Sequence, residues 1–187
     1  MKNFCREDRS FSLCGLNCAL CAMKLGGYCP GCGGGDGNQG CSIASCAMRR
    51  NLSSYCCDCE QYPCSKYDDV NQYDSFITHR NQRLDMERAQ RDMEAYHEQL
   101  EQKALILQAL LRDFNDGRRK SYFCLAVNLL DLQSLQAITE RLKAQITAEM
   151  TLKERAAAAV KLLEEAAQRQ GIVLKLRKKP TKKSGLI

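Results

Sequence analysis

Thirteen cysteines are the chemistry-bearing residues of this chain, and twelve of them fall within its first 64 positions. They come in clusters: Cys14, Cys18 and Cys21; Cys29 and Cys32; Cys41 and Cys46; and Cys56, Cys57, Cys59 and Cys64, with Cys5 ahead of them and only Cys124 far beyond. Thiolates at that density end either as disulfides or as ligands of a soft metal. An odd total fits a fully paired framework poorly. Met1 to Ser10 carries Lys2, Arg6, Glu7, Asp8 and Arg9 with no apolar run behind it. The expected setting is therefore the reducing cytoplasm, where disulfides rarely persist. Metal ligation follows as the expectation for Cys14, Cys18, Cys21, Cys29, Cys32, Cys41, Cys46, Cys57, Cys59 and Cys64, with Cys5 and Cys56 as further candidates.

The spacings sharpen this. Three thiolates in Cys14-x3-Cys18-x2-Cys21 can hold three corners of one [4Fe–4S] cube. Cys29-Pro30-Gly31-Cys32-Gly33 has the form of a metal knuckle, in which a glycine turn frees amides to bond the sulfurs. Cys56 and Cys57 are adjacent, so one ion does not readily take both. Four thiolates around zinc or around an oxidised cube leave excess negative charge, and Lys24, Arg49, Arg50 and Lys66 are near enough in sequence to offset it. Cys124 lies in an apolar stretch and reads as a small buried hydrophobe. His79 and His97 sit among charged residues and read as solvated helix-surface side chains. No Cys/His pair, no carboxylate dyad in a defined context and no phosphate loop is visible, so the sequence gives no enzyme assignment and leans away from one. The run Gly33 to Gly37 lacks the lysine of a P-loop.

The elements that must hold these cysteines divide the chain into three. Residues 1–67 form the cysteine-rich module, with little regular structure and few large aliphatic side chains. A core that small calls for a staple. Residues 68–171 are expected to be all-α. From about residue 74 to 115 there is no glycine or proline. Met86, Ala89, Met93, Tyr96, Leu100, Leu107, Leu110 and Phe114 step by threes and fours, with Lys103 in the one gap. This predicts one long heptad-patterned helix of roughly 60 Å at ~1.5 Å per residue. Three shorter helices follow: an apolar one over 122–130, an amphipathic one over 132–150, and one opened by the Thr151/Glu154 capping box and closed near Gly171. The heptad seam predicts helix–helix association, within the chain or in a homodimer.

Residues 172–187 form a basic tail, expected to be disordered. Seven basic residues and no acid follow Ala166, against a net charge of +6, so the basicity belongs to the tail. Contact with nucleic acid through phosphate neutralisation is one use of such a tail. No aromatic residue follows Phe123, so base stacking by this tail is excluded. No stretch approaches a membrane span.

The ordered string Cys14-Gly15-Leu16-x-Cys18-x2-Cys21, Cys29-x-Gly31-Cys32, Cys41-x-Ile43-x2-Cys46 and Cys59-x3-Pro63-Cys64 resembles the prokaryotic cysteine-rich family catalogued as domain of unknown function 3795, over about residues 12–67. The resemblance implies a metal-binding module of a kind widespread in anaerobic bacteria and archaea. It brings no known reaction and no catalytic residues. The family is usually shorter after its last cysteine, so the helical half is an extension. The triplet spacing is also that of radical S-adenosylmethionine enzymes, but Leu20 stands where those usually carry an aromatic residue, and no β/α barrel pattern surrounds it. Two functions are expected. The first is a cysteine-ligated protein carrying [4Fe–4S] clusters for electron transfer or redox sensing. The alternative is a Zn²⁺-stapled adaptor whose helical half binds a protein, or whose tail binds RNA.

Overall fold

The computed structural model describes residues 3–35, 40–52 and 54–180. It is mostly helical, with seven α-helices and no strand among the described residues: α1 (Ala22–Leu25), α2 (Ser42–Arg49), α3 (Gln82–Arg91), α4 (Met93–Asp113), α5 (Lys120–Leu129), α6 (Leu132–Gln145) and α7 (Leu152–Arg169). None of these helices is long and apolar enough to cross a membrane.

The single helix expected over 74–115 is instead two. Residues 74–81 are turns, and the chain breaks again at Asp92, whose backbone is extended (φ −155°, ψ 98°). The reason is capping. The Asp92 carboxylate accepts the Ala95 amide at 3.0 Å, satisfying a donor that a fresh helix start leaves orphaned. The apolar steps of three and four survive on both sides of the break. Met86 and Ala89 are buried on α3, and Tyr96, Leu100, Leu107 and Leu110 on α4. α4 packs on α3, α5 and α6 of the same chain. Its seam is therefore covered by this chain's own helices.

α5 and α7 follow their local signals, whereas α6 stops at Gln145, short of 150, because Ile146 is extended (φ −81°, ψ 125°). α5 is buried on nearly every face from Phe123 to Leu129. Asp131 caps α6 by accepting the Ser134 amide at 2.7 Å. Thr151 and Glu154 form the reciprocal capping box of α7. Gly171 (φ 65°) turns the chain so that the Ile172 amide reaches the Ala167 carbonyl at 2.8 Å. That positive φ is costly for any residue with a Cβ.

The cysteine-rich segment packs directly on this bundle. Phe11 and Leu20 are part of the bundle core, and the Phe11 ring lies 4.8 Å from that of Tyr96. A second, smaller core of Phe4, Leu13, Ile43, Ala44, Ala47 and Tyr67 lies under the cysteines. Counting large aliphatic residues missed Phe4 and Tyr67, which complete it.

The expected free tail is partly tied down. The Arg177 amide donates to the Asp74 carboxylate, and the Asp74 amide donates back to the Arg177 carbonyl, both at 2.7 Å. The Arg80 guanidinium holds the Val173 and Lys175 carbonyls. Burial alone would raise the Asp74 carboxyl, but the amides of Arg177 and His79 and the Arg177 guanidinium hold it below the usual carboxylate range. Residues 181–187 lie outside the described residues. Asp74→Ala is expected to release the segment 173–177 at a cost of about 2 kcal/mol for the lost charge-assisted bonds. Hydrogen–deuterium exchange checks it: exchange at 175–177 should quicken while α4 and α5 stay protected, and unchanged exchange there contradicts the clamp.

Candidate metal centres

The turn that carries the cysteine triplet is built by short polar side chains. Asp8 accepts the amides of Ser10 (2.7 Å) and Phe11 (3.1 Å), and Ser12 Oγ accepts the Leu16 amide at 2.7 Å. Gly15 (φ +97°) closes the turn and lies flat against α3, where a Cβ would stand 2.4 Å from the Gln82 carbonyl oxygen. Gln82 in turn donates to the Cys14 carbonyl at 3.0 Å. Next to Cys18, Asn17 is buried and fully used. Its amide donates to Asp85 (2.9 Å) and Asn128 (3.2 Å), and its oxygen accepts the Tyr96 hydroxyl (2.8 Å). The cysteine turn is thus fastened to α3, α4 and α5 by side chains rather than by regular structure.

Six of the sequence-predicted ligands, Cys14, Cys18, Cys21, Cys29, Cys32 and Cys41, line one cavity of about 280 Å³. Within it, Cys14 feels the charges of Cys32, Cys41 and Cys18, and Cys18 those of Cys32 and Cys21. Burial raises the Cys14 thiol far above its ordinary value and pushes Cys18 up to about 12, and the neighbouring sulfurs add to both shifts. Groups that favour the thiolates oppose this rise: the Cys32 amide acts on Cys18, and the Leu13 amide and Arg6 guanidinium act on Cys32. Arg6 is itself buried, and its amide bonds the Gly33 carbonyl at 3.0 Å. This close approach explains Gly33, where a Cβ would lie 2.6 Å from the Arg6 side chain. Met23, Phe76 and Ile77 supply an apolar wall, and His79 lines the same cavity.

The other four cysteines with a common location are Cys46, Cys56, Cys59 and Cys64, which line a second cavity of about 30 Å³. The 3₁₀ turn Cys56–Asp58 brings the Cys59 amide to the Cys56 carbonyl at 3.1 Å. Burial pushes the Cys56 thiol up to about 11, with the nearby Tyr67 hydroxyl opposing, while Cys64 and Cys59 add repulsion. The Tyr67 hydroxyl donates to the Cys14 carbonyl at 3.3 Å.

The pair Cys41/Cys46 is divided by α2. Cys41, the residue before its first turn, faces the larger cavity, and Cys46 faces the smaller. Adjacent Cys56 and Cys57 also part company: Cys56 joins the smaller cavity, while Cys57 is buried on the bundle side. There burial and the Asp58 carboxylate push the Cys57 thiol up to about 11. Cys5 is exposed. Cys124 is buried, and burial and the charge of Cys21 push its thiol up to about 12.

His97 lies on the surface of α4 as expected, about a third exposed, whereas His79 lies outside any helix. His79 precedes α3, takes a hydrogen bond with Ser75 Oγ at 3.0 Å, and is held below its ordinary pKa by burial. His97 meets the Tyr55 hydroxyl at 3.2 Å and Asp8 at 3.7 Å. No sequence signal marked Arg6, Tyr67 or Asn17, because their partners are distant in the chain.

Among the described residues no group of three or more His, Cys, Asp or Glu side chains is arranged to hold a metal ion as it stands. The donor chemistry nonetheless fits one. The groups around the sulfurs are N–H, O–H and guanidinium donors, which stabilise thiolates more than thiols. Binding would release the thiol protons and draw the sulfurs of each cavity together. Compared with known proteins, the chain matches no family model, no curated protein and no solved structure.

Proposed function

We propose that this chain is a cysteine-ligated metal protein whose larger cavity takes an iron–sulfur cluster used for electron transfer or redox sensing. The observation that carries this reading is six cysteines lining a single cavity of about 280 Å³, roomy enough for a polynuclear cluster. The ligands this reading draws on are those six, Cys14, Cys18, Cys21, Cys29, Cys32 and Cys41. A cluster bound there would supply a one-electron couple. The chain supplies the rest. The amides of Leu13 and Cys32 and the Arg6 guanidinium offset the negative charge of the thiolates. Met23, Phe76 and Ile77 give the cavity an apolar wall, and Asn17 holds the turn to the bundle. The resemblance over 12–67 points the same way. The alternative, a zinc-stapled adaptor, draws its support from the smaller cavity.

Anaerobic purification followed by iron, acid-labile sulfide, zinc and visible absorption tests the reading. A brown protein with sulfide matching iron is the expected result. Colourless protein without iron, from cells able to build clusters, overturns it.

A further inference from the structure

The ten cysteines that share a cavity are not ligands of two equal centres. We infer that Cys46, Cys56, Cys59 and Cys64 form a separate site for a single tetrahedral ion of the zinc class, distinct from the larger centre. This rests on reading the cysteines as metal ligands, though not on the presence of iron.

Size is the first argument. The cavity these four cysteines line together with Ile43, Ala47, Tyr62 and Tyr67 is about 30 Å³. So small a space favours one ion over a four-iron cube. The larger cavity is about 280 Å³. The donor set is the second. All four lining residues able to ligate are cysteines, and four thiolates around one ion is the closed shell of a structural zinc site. Cys56 and Cys59 are two residues apart across a 3₁₀ turn, the knuckle form that lets two sulfurs reach one ion, and Cys64 follows. Cys46 comes from α2 and closes the set from the opposite side. Position is the third. Ile43, Ala47 and Tyr67 of the smaller core border this space, so an ion there would join α2 to the 56–67 segment. Arg50 and Lys66 also line it and can balance the excess charge of four thiolates. Arg50 is held in place by Gln61 at 2.6 Å.

The assignment also says which cysteines stay out. Cys57 occupies the bundle-side core, although its spacing from Cys59 and Cys64 made it the sequence candidate.

The test compares metal contents of the full chain carrying Cys59→Ser/Cys64→Ser, Cys14→Ser/Cys18→Ser, or Cys57→Ser. The first should lose one equivalent of zinc and keep its iron and sulfide. The second should lose iron and keep zinc, and Cys57→Ser should keep both. Zinc unchanged in the first, or iron lost with it while the second keeps iron, overturns the two-centre assignment and leaves the iron reading intact. No iron anywhere, with zinc still lost only in the first, overturns the iron reading and leaves this site standing. Should the first variant fail to fold, the unsubstituted chain answers alone. Purified in air, its four cysteines 46, 56, 59 and 64 should resist alkylation until a chelator removes zinc, as read by peptide mass. Alkylation of all four before chelation refutes the site.

Discussion

Gly15→Ala is expected to lower stability by about 4 kcal/mol, the sum of a left-handed backbone forced on a residue with a Cβ and an overpacked contact. Gly15 has φ +97°, and its added Cβ would stand 2.4 Å from the Gln82 carbonyl oxygen and 3.2 Å from the Met86 Cβ. Neither neighbour can yield easily. The carbonyl belongs to the first turn of α3, and Met86 is fully buried. Gly117→Ala is the matched control. It has φ +89° but nothing within 4 Å of the added Cβ, so only the backbone cost of about 1 kcal/mol applies. Urea denaturation of both variants reads the difference. Equal losses would mean that the contact with α3 does not constrain the turn. Because Cys14 precedes Gly15, the same variant should bind less metal in the larger cavity.

Lys103→Met is expected to cost about 3 kcal/mol at neutral pH, and Asp85→Asn/Lys103→Met to recover most of that loss. Both ionisable groups are buried in the polar network under the cysteine turn. Lys103 donates to the Leu130 carbonyl at 2.7 Å, and its charge bears on Asp85 without a direct contact. Asp85 also faces Arg88 at 3.5 Å and the Asn17 amide. Burial pushes the Asp85 carboxyl up to about 6, with Lys103 and Arg88 opposing. Burial pushes Lys103 down to about 8, with Asp85 opposing. Removing the lysine leaves a buried carboxylate without its largest opposing charge and a helix-end carbonyl without its donor.

The pH dependence has a definite sign. The folded state binds the Asp85 proton more tightly than the unfolded chain does. That contribution is full below pH 4 and is lost as pH rises through about 6. The folded state binds the Lys103 proton less tightly. Its contribution is therefore gained as pH climbs from about 8 towards the ordinary lysine range. A shallow stability minimum between these values is expected, and the double variant should flatten it. Denaturation at pH 5, 7 and 9 checks both statements. A double variant no more stable than Lys103→Met would show that the two charges do not share an environment.

What the sequence determined by itself is local in reach. The Thr151/Glu154 cap, the Gly171 terminus and the apolar stretch that became α5 each depend on residues within a few positions, so their signals are complete in a short window. The clustering of cysteines is local too. It pointed to metal chemistry without saying which sulfurs share a site. The threes-and-fours pattern was legible, but the cap at Asp92 competes within the same window and split the helix. What only the tertiary structure decided depends on partners far apart. α2 points Cys41 and Cys46 into different cavities, and the 3₁₀ turn at Cys56 separates two adjacent thiols. Asn17 meets Asp85 and Asn128 across 68 and 111 positions, and Asp74 meets Arg177 across 103. The direction of a side chain from a turn, and the burial of a polar group against a distant helix, are set by packing. No spacing in the sequence encodes them.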